Sequence, residues 1–130
     1  MYCFDTSTVI EFFRGNKKVV EKISNNSKNG ENIFITYITL CELYKGAFLH
    51  SNKEEKIQEI DEFALNFSIL DFNIDSCKIF GNIYYNLTKS GKIIPEADLM
   101  IASIVKTNNL TLITMDKKHF NNLGIKVEVW

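Results

Sequence analysis

Apolar and polar positions follow two rhythms along this chain, and the changes of rhythm mark its elements. Short apolar runs at Tyr2–Phe4, Ile33–Thr36, Phe67–Leu70, Leu110–Thr114 and Ile125–Val129 predict strands. Between them, apolar residues recur at helical spacing. Val9–Arg14 and Lys17–Ser24 predict two short helices. Leu40–Leu49 places Leu40, Leu43, Tyr44 and Ala47 on one face, and Glu54–Phe67 does the same with Ile57, Ile60, Phe63, Ala64 and Phe67. Ile74–Thr88 repeats the pattern through Ile74, Cys77, Phe80, Tyr84 and Leu87. Pro95, the only proline, opens a helix that runs to about Thr107, since proline is preorganised for a first helical turn. A short segment around Lys117–Asn121 joins the last two strands.

Strands alternating with helices predict an α/β fold in one domain spanning residues 1–130. Its sheet is expected to be mainly parallel and twisted, with about five short strands, right-handed crossovers and helices on both faces. Ligands of open parallel sheets bind beyond the carboxyl ends of the strands, so residues just past each strand are the first candidates for chemistry.

Composition narrows the function without naming it. At 130 residues, 45% hydrophobic and 24% charged, the chain is an ordinary globular domain able to bury one core. A net charge of −1 excludes a protein that holds nucleic acid by bulk positive charge; a polyanion would have to meet a local patch or bound cations. Cys3, Cys41 and Cys77 each lie in an apolar run with no close pair, and read as reduced core residues. No Cys-x-x-Cys or His-x-x-x-His element favours a zinc site with His50 and His119. The amino terminus lacks a basic region followed by a long apolar stretch, and no run is long enough to span a membrane. A cytoplasmic protein is expected.

Three of four candidate acids fall where the sheet-edge rule points. Asp5 follows the first strand directly and Asp116 follows the fourth by one residue beyond Thr114. Glu42 lies in the first turns of the helix after the second strand, and Asp98 in the first turn of the helix opened by Pro95. Helix capping accounts for such positions as well: Thr39-x-x-Glu42 fits a capping box, and Asp5 and Asp116 fit caps of the turns that follow them. Taken singly, capping and catalysis explain these residues equally. Asp98 differs, because its helix reads Ala97-Asp-Leu-Met-Ile-Ala102-Ser-Ile-Val105, apolar almost all round. A carboxylate there is costly unless it is paired, hydrogen-bonded or bound to a metal. Converging carboxylates would need a hard cation, for which Mg²⁺ or Mn²⁺ is the natural choice. Such an ion can activate water against a phosphodiester.

The acids sit in four motifs that occur in order. These are Phe4-Asp5-Thr6-Ser7, Thr39-Leu-Cys-Glu42-Leu43-x-x-Gly46, Pro95-Glu96-Ala-Asp98-Leu-Met-Ile101-Ala102 and Leu112-Ile-Thr114-Met-Asp116-x-x-x-Phe120. With them the chain resembles the PIN domain family and, within it, the VapC-type toxins of bacterial and archaeal toxin–antitoxin pairs. The resemblance runs from Met1 to Trp130. It implies that Asp5, Glu42, Asp98 and Asp116 are the metal ligands, that Thr114 orients the cluster, and that Thr6 and Ser7 support Asp5. Glu96 is an extra acid, either helping a second metal or facing solvent. The implied activity is Mg²⁺- or Mn²⁺-dependent hydrolysis of RNA by in-line attack of water, leaving a 5′-phosphate and a 3′-hydroxyl. A homodimer and a cognate antitoxin protein are the implied partners, with no membrane.

Three alternatives stand beside that reading. One is a PIN nuclease of RNA processing or decay that has no antitoxin. Another is a phosphotransfer enzyme using Asp5 as an aspartyl nucleophile, although the chain has Asp5-Thr-Ser7 where haloacid-dehalogenase-type phosphatases carry Asp-x-Asp. The third is a non-catalytic binding module, which would have no use for Asp98. RNA contacts would fall to Arg14, the sole arginine, and to lysines such as Lys17, Lys18, Lys45, Lys92 and Lys117.

Overall fold

The computed structural model describes residues 1–130. Its elements are β1 (Tyr2–Phe4), α1 (Thr6–Phe13), α2 (Lys17–Lys28), β2 (Ile33–Thr36), α3 (Tyr37–Phe48) and α4 (Lys53–Ala64). They continue with β3 (Ser68–Leu70), α5 (Ile74–Lys89), α6 (Glu96–Thr107), β4 (Thr111–Ile113), α7 (Lys117–Phe120) and β5 (Lys126–Glu128). The five strands form one sheet in the order β3-β2-β1-β4-β5. Every pairing is parallel.

Strand alternation sorts the core into two layers, because successive side chains leave a strand on opposite faces. Cys3, Phe34, Leu70, Leu112 and Val127 face one layer, where they meet Leu99, Ile101, Ala102 and Val105 of α6, Ile83 of α5 and Phe120 of α7. Tyr2, Phe4, Ile33, Ile35, Ile69 and Ile113 face the other, with Val9 of α1, Leu40, Leu43 and Ala47 of α3, and Ile60 and Phe63 of α4. The chain first winds outward from β1 to β3, then returns to β4 and β5 on the other side. With right-handed crossovers, that reversal puts helices on opposite faces. It also makes the gap between β1 and β4 the topological switch point.

Helix starts differ from the sequence expectation for a local reason. α1 begins at Thr6, not Val9, because Asp5 caps it by accepting from the Thr8 amide. α3 begins at Tyr37, not Leu40, because the cap is Thr36, whose Oγ1 accepts from the Thr39 amide at 3.0 Å. Thr39 is therefore inside the helix, the expected capping box does not form, and Glu42 lies in the second turn. Thr36 is fully buried. Thr36→Ala should cost about 1–2 kcal/mol, lowering the melting temperature by roughly 3–8 °C in a chain of this size; thermal unfolding followed by circular dichroism would measure it.

Two cysteines also depart from expectation. Cys3 is buried, but Cys41 and Cys77 are exposed. Cys41 sits on the outer face of α3, whose buried stripe is Thr39, Leu40, Leu43 and Ala47. In α5 the inner face is Ser76, Ile79, Phe80, Ile83 and Leu87, so the stripe is rotated from the expected one and leaves Ile74, Cys77 and Tyr84 outside. No helix is long and apolar enough to cross a membrane.

Candidate metal-binding active site

All strands run in one direction, so their carboxyl ends share one edge, and the helices that follow them begin there. Asp5 leaves β1 and Thr114 and Asp116 leave β4 on either side of the switch point. Glu42 follows β2 on α3. α6 runs back toward the start of β4, which puts Asp98 in its first turn at the same edge.

Asp5 is the most tightly held of the acids, with 4% of its surface exposed. Its Oδ1 accepts from Ser7 Oγ (2.8 Å), the Thr8 amide (2.9 Å) and Thr8 Oγ1 (3.0 Å). Its Oδ2 accepts from Ser7 Oγ (2.9 Å) and Thr114 Oγ1 (2.5 Å). The same hydroxyls anchor the loop after β4: Ser7 Oγ accepts from the Met115 amide and Thr114 Oγ1 from the Asp116 amide, each at 3.0 Å. Capping and site-building are thus done by one carboxylate, and β1 is locked to the end of β4 through it. Thr6, which the resemblance assigns to Asp5, instead donates to Glu42 Oε1 at 2.5 Å.

Asp98 stands apart from these hydroxyls. Its Oδ2 lies 2.7 Å from Nδ1 of His119, and the same nitrogen lies 3.2 Å from Oδ2 of Asp116. Burial pushes the Asp98 carboxyl above the usual carboxylate range, the bond to His119 opposes this, and the charges of Glu42 and Asp5 add to the rise. Glu42 and Asp5 therefore lie near enough to Asp98 for their charges to act on it. Asp116 occupies the cap position of α7 but makes no capping bond, so its carboxylate is free of the role that capping statistics assign it. Glu96 is exposed and solvent-facing.

No three acid, histidine or cysteine side chains are gathered closely enough to hold a metal ion as they stand; Asp5 and Glu42 rest on hydroxyls, and Asp98 and Asp116 share the imidazole of His119. The donor set still suits a hard divalent ion. It is all oxygen, and no lysine or arginine pairs with Asp5, Glu42, Asp98 or Asp116. Beside Glu42 opens a cleft of about 380 Å³ lined by Ile10, Phe13, Leu43 and Ile60 and by Arg14, His50 and Lys56. Arg14 is paired with Glu11 at 3.0 Å.

His119 is absent from the expected cluster. The signal that finds it is the Asp116-x-x-His119 spacing, which puts both on one side of a single helical turn. Phe120, buried at 1% exposure, pins that turn to the core.

This fold and sequence have known counterparts. The model of the PIN domain matches residues 2–126, and the chain belongs to the PIN domain family. It is 31% identical over 130 residues to ribonuclease VapC2 of Haemophilus influenzae, covering 99% of this chain and 97% of that one. To ribonuclease VapC3 of Methanocaldococcus jannaschii it is 43% identical over 100 residues, 77% of this chain and 93% of the relative. Among solved structures, VapBC2 from Rickettsia felis bound to a DNA fragment from its promoter superposes with a TM-score of 0.93 at 27% identity, covering 99% of this chain and 98% of the other.

Proposed function

We propose that this protein is a VapC-type endoribonuclease that hydrolyses RNA with Mg²⁺ or Mn²⁺ held by Asp5, Glu42, Asp98 and Asp116, and that a cognate antitoxin restrains it. The observation that carries the reading is the group of carboxylates around the β1–β4 switch point, free of lysine or arginine partners. Similarity over nearly the whole chain to proteins named ribonuclease VapC supports the substrate class. Similarity to VapBC complexes supports the antitoxin.

In this reading each residue has a physical task. A bound divalent ion would activate water and neutralise charge on the phosphate. Asp5, fixed through both oxygens by Ser7, Thr8 and Thr114, holds the centre of the site without reorganising. Glu42, steered by Thr6, borders the cleft, and Asp98 and Asp116 meet at His119. Water attacks phosphorus in line, the P–O3′ bond breaks, and the ends are a 5′-phosphate and a 3′-hydroxyl. Donors on both oxygens of Asp5 leave it poorly placed as a covalent nucleophile, which speaks against aspartyl phosphotransfer. Ile74, Tyr84 and Tyr85, exposed along α5, offer apolar surface for pairing of two copies.

Purified protein incubated with mixed RNA and Mn²⁺ should cleave it, stop on addition of EDTA, and resume when Mn²⁺ is restored in excess. Cleavage that persists in EDTA would refute a metal-held mechanism. Product ends bearing a 2′,3′-cyclic phosphate would refute attack by water.

A further inference from the structure

The acids of the site are held in two different ways. Asp5 and Glu42 rest on hydroxyls from the first turn of α1 and from Thr114 just past β4. Asp98 and Asp116 have no hydroxyl partner: the one polar side chain that reaches either is His119. These two acids come from distant parts of the chain, the first turn of α6 and the loop after β4. No backbone hydrogen bond joins the first turn of α6 to the loop after β4.

We propose that His119 is a positioning residue, whose Nδ1 ties Oδ2 of Asp98 to Oδ2 of Asp116 and so sets the two carboxylates as one metal-facing wall. The proposal rests on the reading of the site as a divalent-metal centre. Its geometry is specific. Two carboxylates facing one nitrogen require the hydrogen on Nδ1, which fixes the ring's orientation. His119 is itself placed twice: its amide donates to the Asp116 carbonyl at 3.3 Å, and the next residue, Phe120, is buried among Cys3, Leu99 and Leu112. The ring therefore arrives from a one-turn helix nailed to the core, between acids that would otherwise repel. With Oδ2 of Asp98 hydrogen-bonded to the imidazole and Oδ2 of Asp116 beside the same nitrogen at 3.2 Å, Oδ1 of each is left for the metal. Partners of this kind behind ligating carboxylates set metal affinity by about 10–100-fold.

The test compares wild type, His119→Ala and His119→Asn by calorimetric titration with Mn²⁺, alongside melting temperature and RNA cleavage. His119→Ala should bind Mn²⁺ at least about 10-fold more weakly, with melting nearly unchanged, since the ring is 43% exposed. His119→Asn, whose amide nitrogen can take the place of Nδ1, should recover most of the affinity. That rescue separates positioning from a general effect on folding, and it remains readable if the alanine variant is unstable. Mn²⁺ binding by His119→Ala equal to or tighter than wild type would overturn the proposal and make His119 a bystander or a competitor of the metal. Failure of Asn to restore affinity lost in the alanine variant would overturn it as well. If the wild-type chain takes up no Mn²⁺, the metal-centre reading itself falls, and the positioning role falls with it.

Discussion

Asp98→Asn should abolish RNA cleavage, by about 10³-fold or more, while leaving the protein folded. A metal ligand supplies several kcal/mol of transition-state stabilisation, and each 1.4 kcal/mol is a factor of about ten in rate. The substitution keeps the shape of the side chain and removes its charge. Its effect on stability should have the opposite sign. The carboxyl of Asp98 is held above its usual range by burial and by Glu42 and Asp5, so the ionised form costs the metal-free fold something at neutral pH. A carboxyl raised in the folded state stabilises most when protonated, below its unfolded value, and that contribution is lost as pH rises through the folded value. Asparagine carries no such penalty. Metal-free Asp98→Asn should therefore melt no lower than wild type at pH 7, and the difference should shrink on acidification. Melting curves across pH, beside a cleavage assay, would separate this from a purely structural role, in which the variant would unfold.

Phe4→Ala should do the reverse and destroy stability first. Phe4 is wholly buried, packs edge-on to Trp130 at 5.2 Å between ring centroids and lies 6.2 Å from Phe67. Removing a buried phenyl ring costs about 3–5 kcal/mol. That is a large share of the roughly 5–15 kcal/mol by which such a domain is stable. Urea unfolding should show a midpoint shifted far down, and activity should fall only as the folded fraction falls. Trp130 makes this ring cluster depend on the end of the chain, for it also packs on Tyr2 and under the ammonium of Lys22.

These two substitutions mark what was legible in the sequence. Strand alternation and the all-apolar character of α6 are written into residue order. The sheet and the buried helix carrying Asp98 could therefore be read directly. That the sheet is parallel followed from strand–helix alternation, whereas the order β3-β2-β1-β4-β5 is visible only in the folded chain. Less legible was anything set by a side chain's choice between near-equal partners. Thr36 and Thr39 are both able to cap α3, and tertiary burial of Thr36 at the end of β2 decided between them. In α5, Cys77 and Tyr84 have the apolar character of core residues, but the face that meets α6 is one position round, through Ser76, Ile79 and Ile83.

The site divides along the same line. Its acids could be placed at one edge because the topology delivers them there. Their individual partners could not. Thr6 serves Glu42, although Asp5 is its neighbour in sequence, because the first turn of α1 aims it across at α3. His119 joins Asp98 and Asp116 over a separation of 21 residues in one case and three in the other, and only the shorter was visible as a spacing.

Four carboxylates from separate elements are expected to hold one hard cation at the switch point of the sheet. Crystals soaked in Mn²⁺ and measured for anomalous scattering test it most directly. A strong peak should lie about 2.1 Å from carboxylate oxygens of Asp5 and Asp98, a distance expected of small octahedral cations, with Glu42 and Asp116 turned toward it. A peak elsewhere on the surface, or none at that edge under conditions where the protein cleaves RNA, would contradict it.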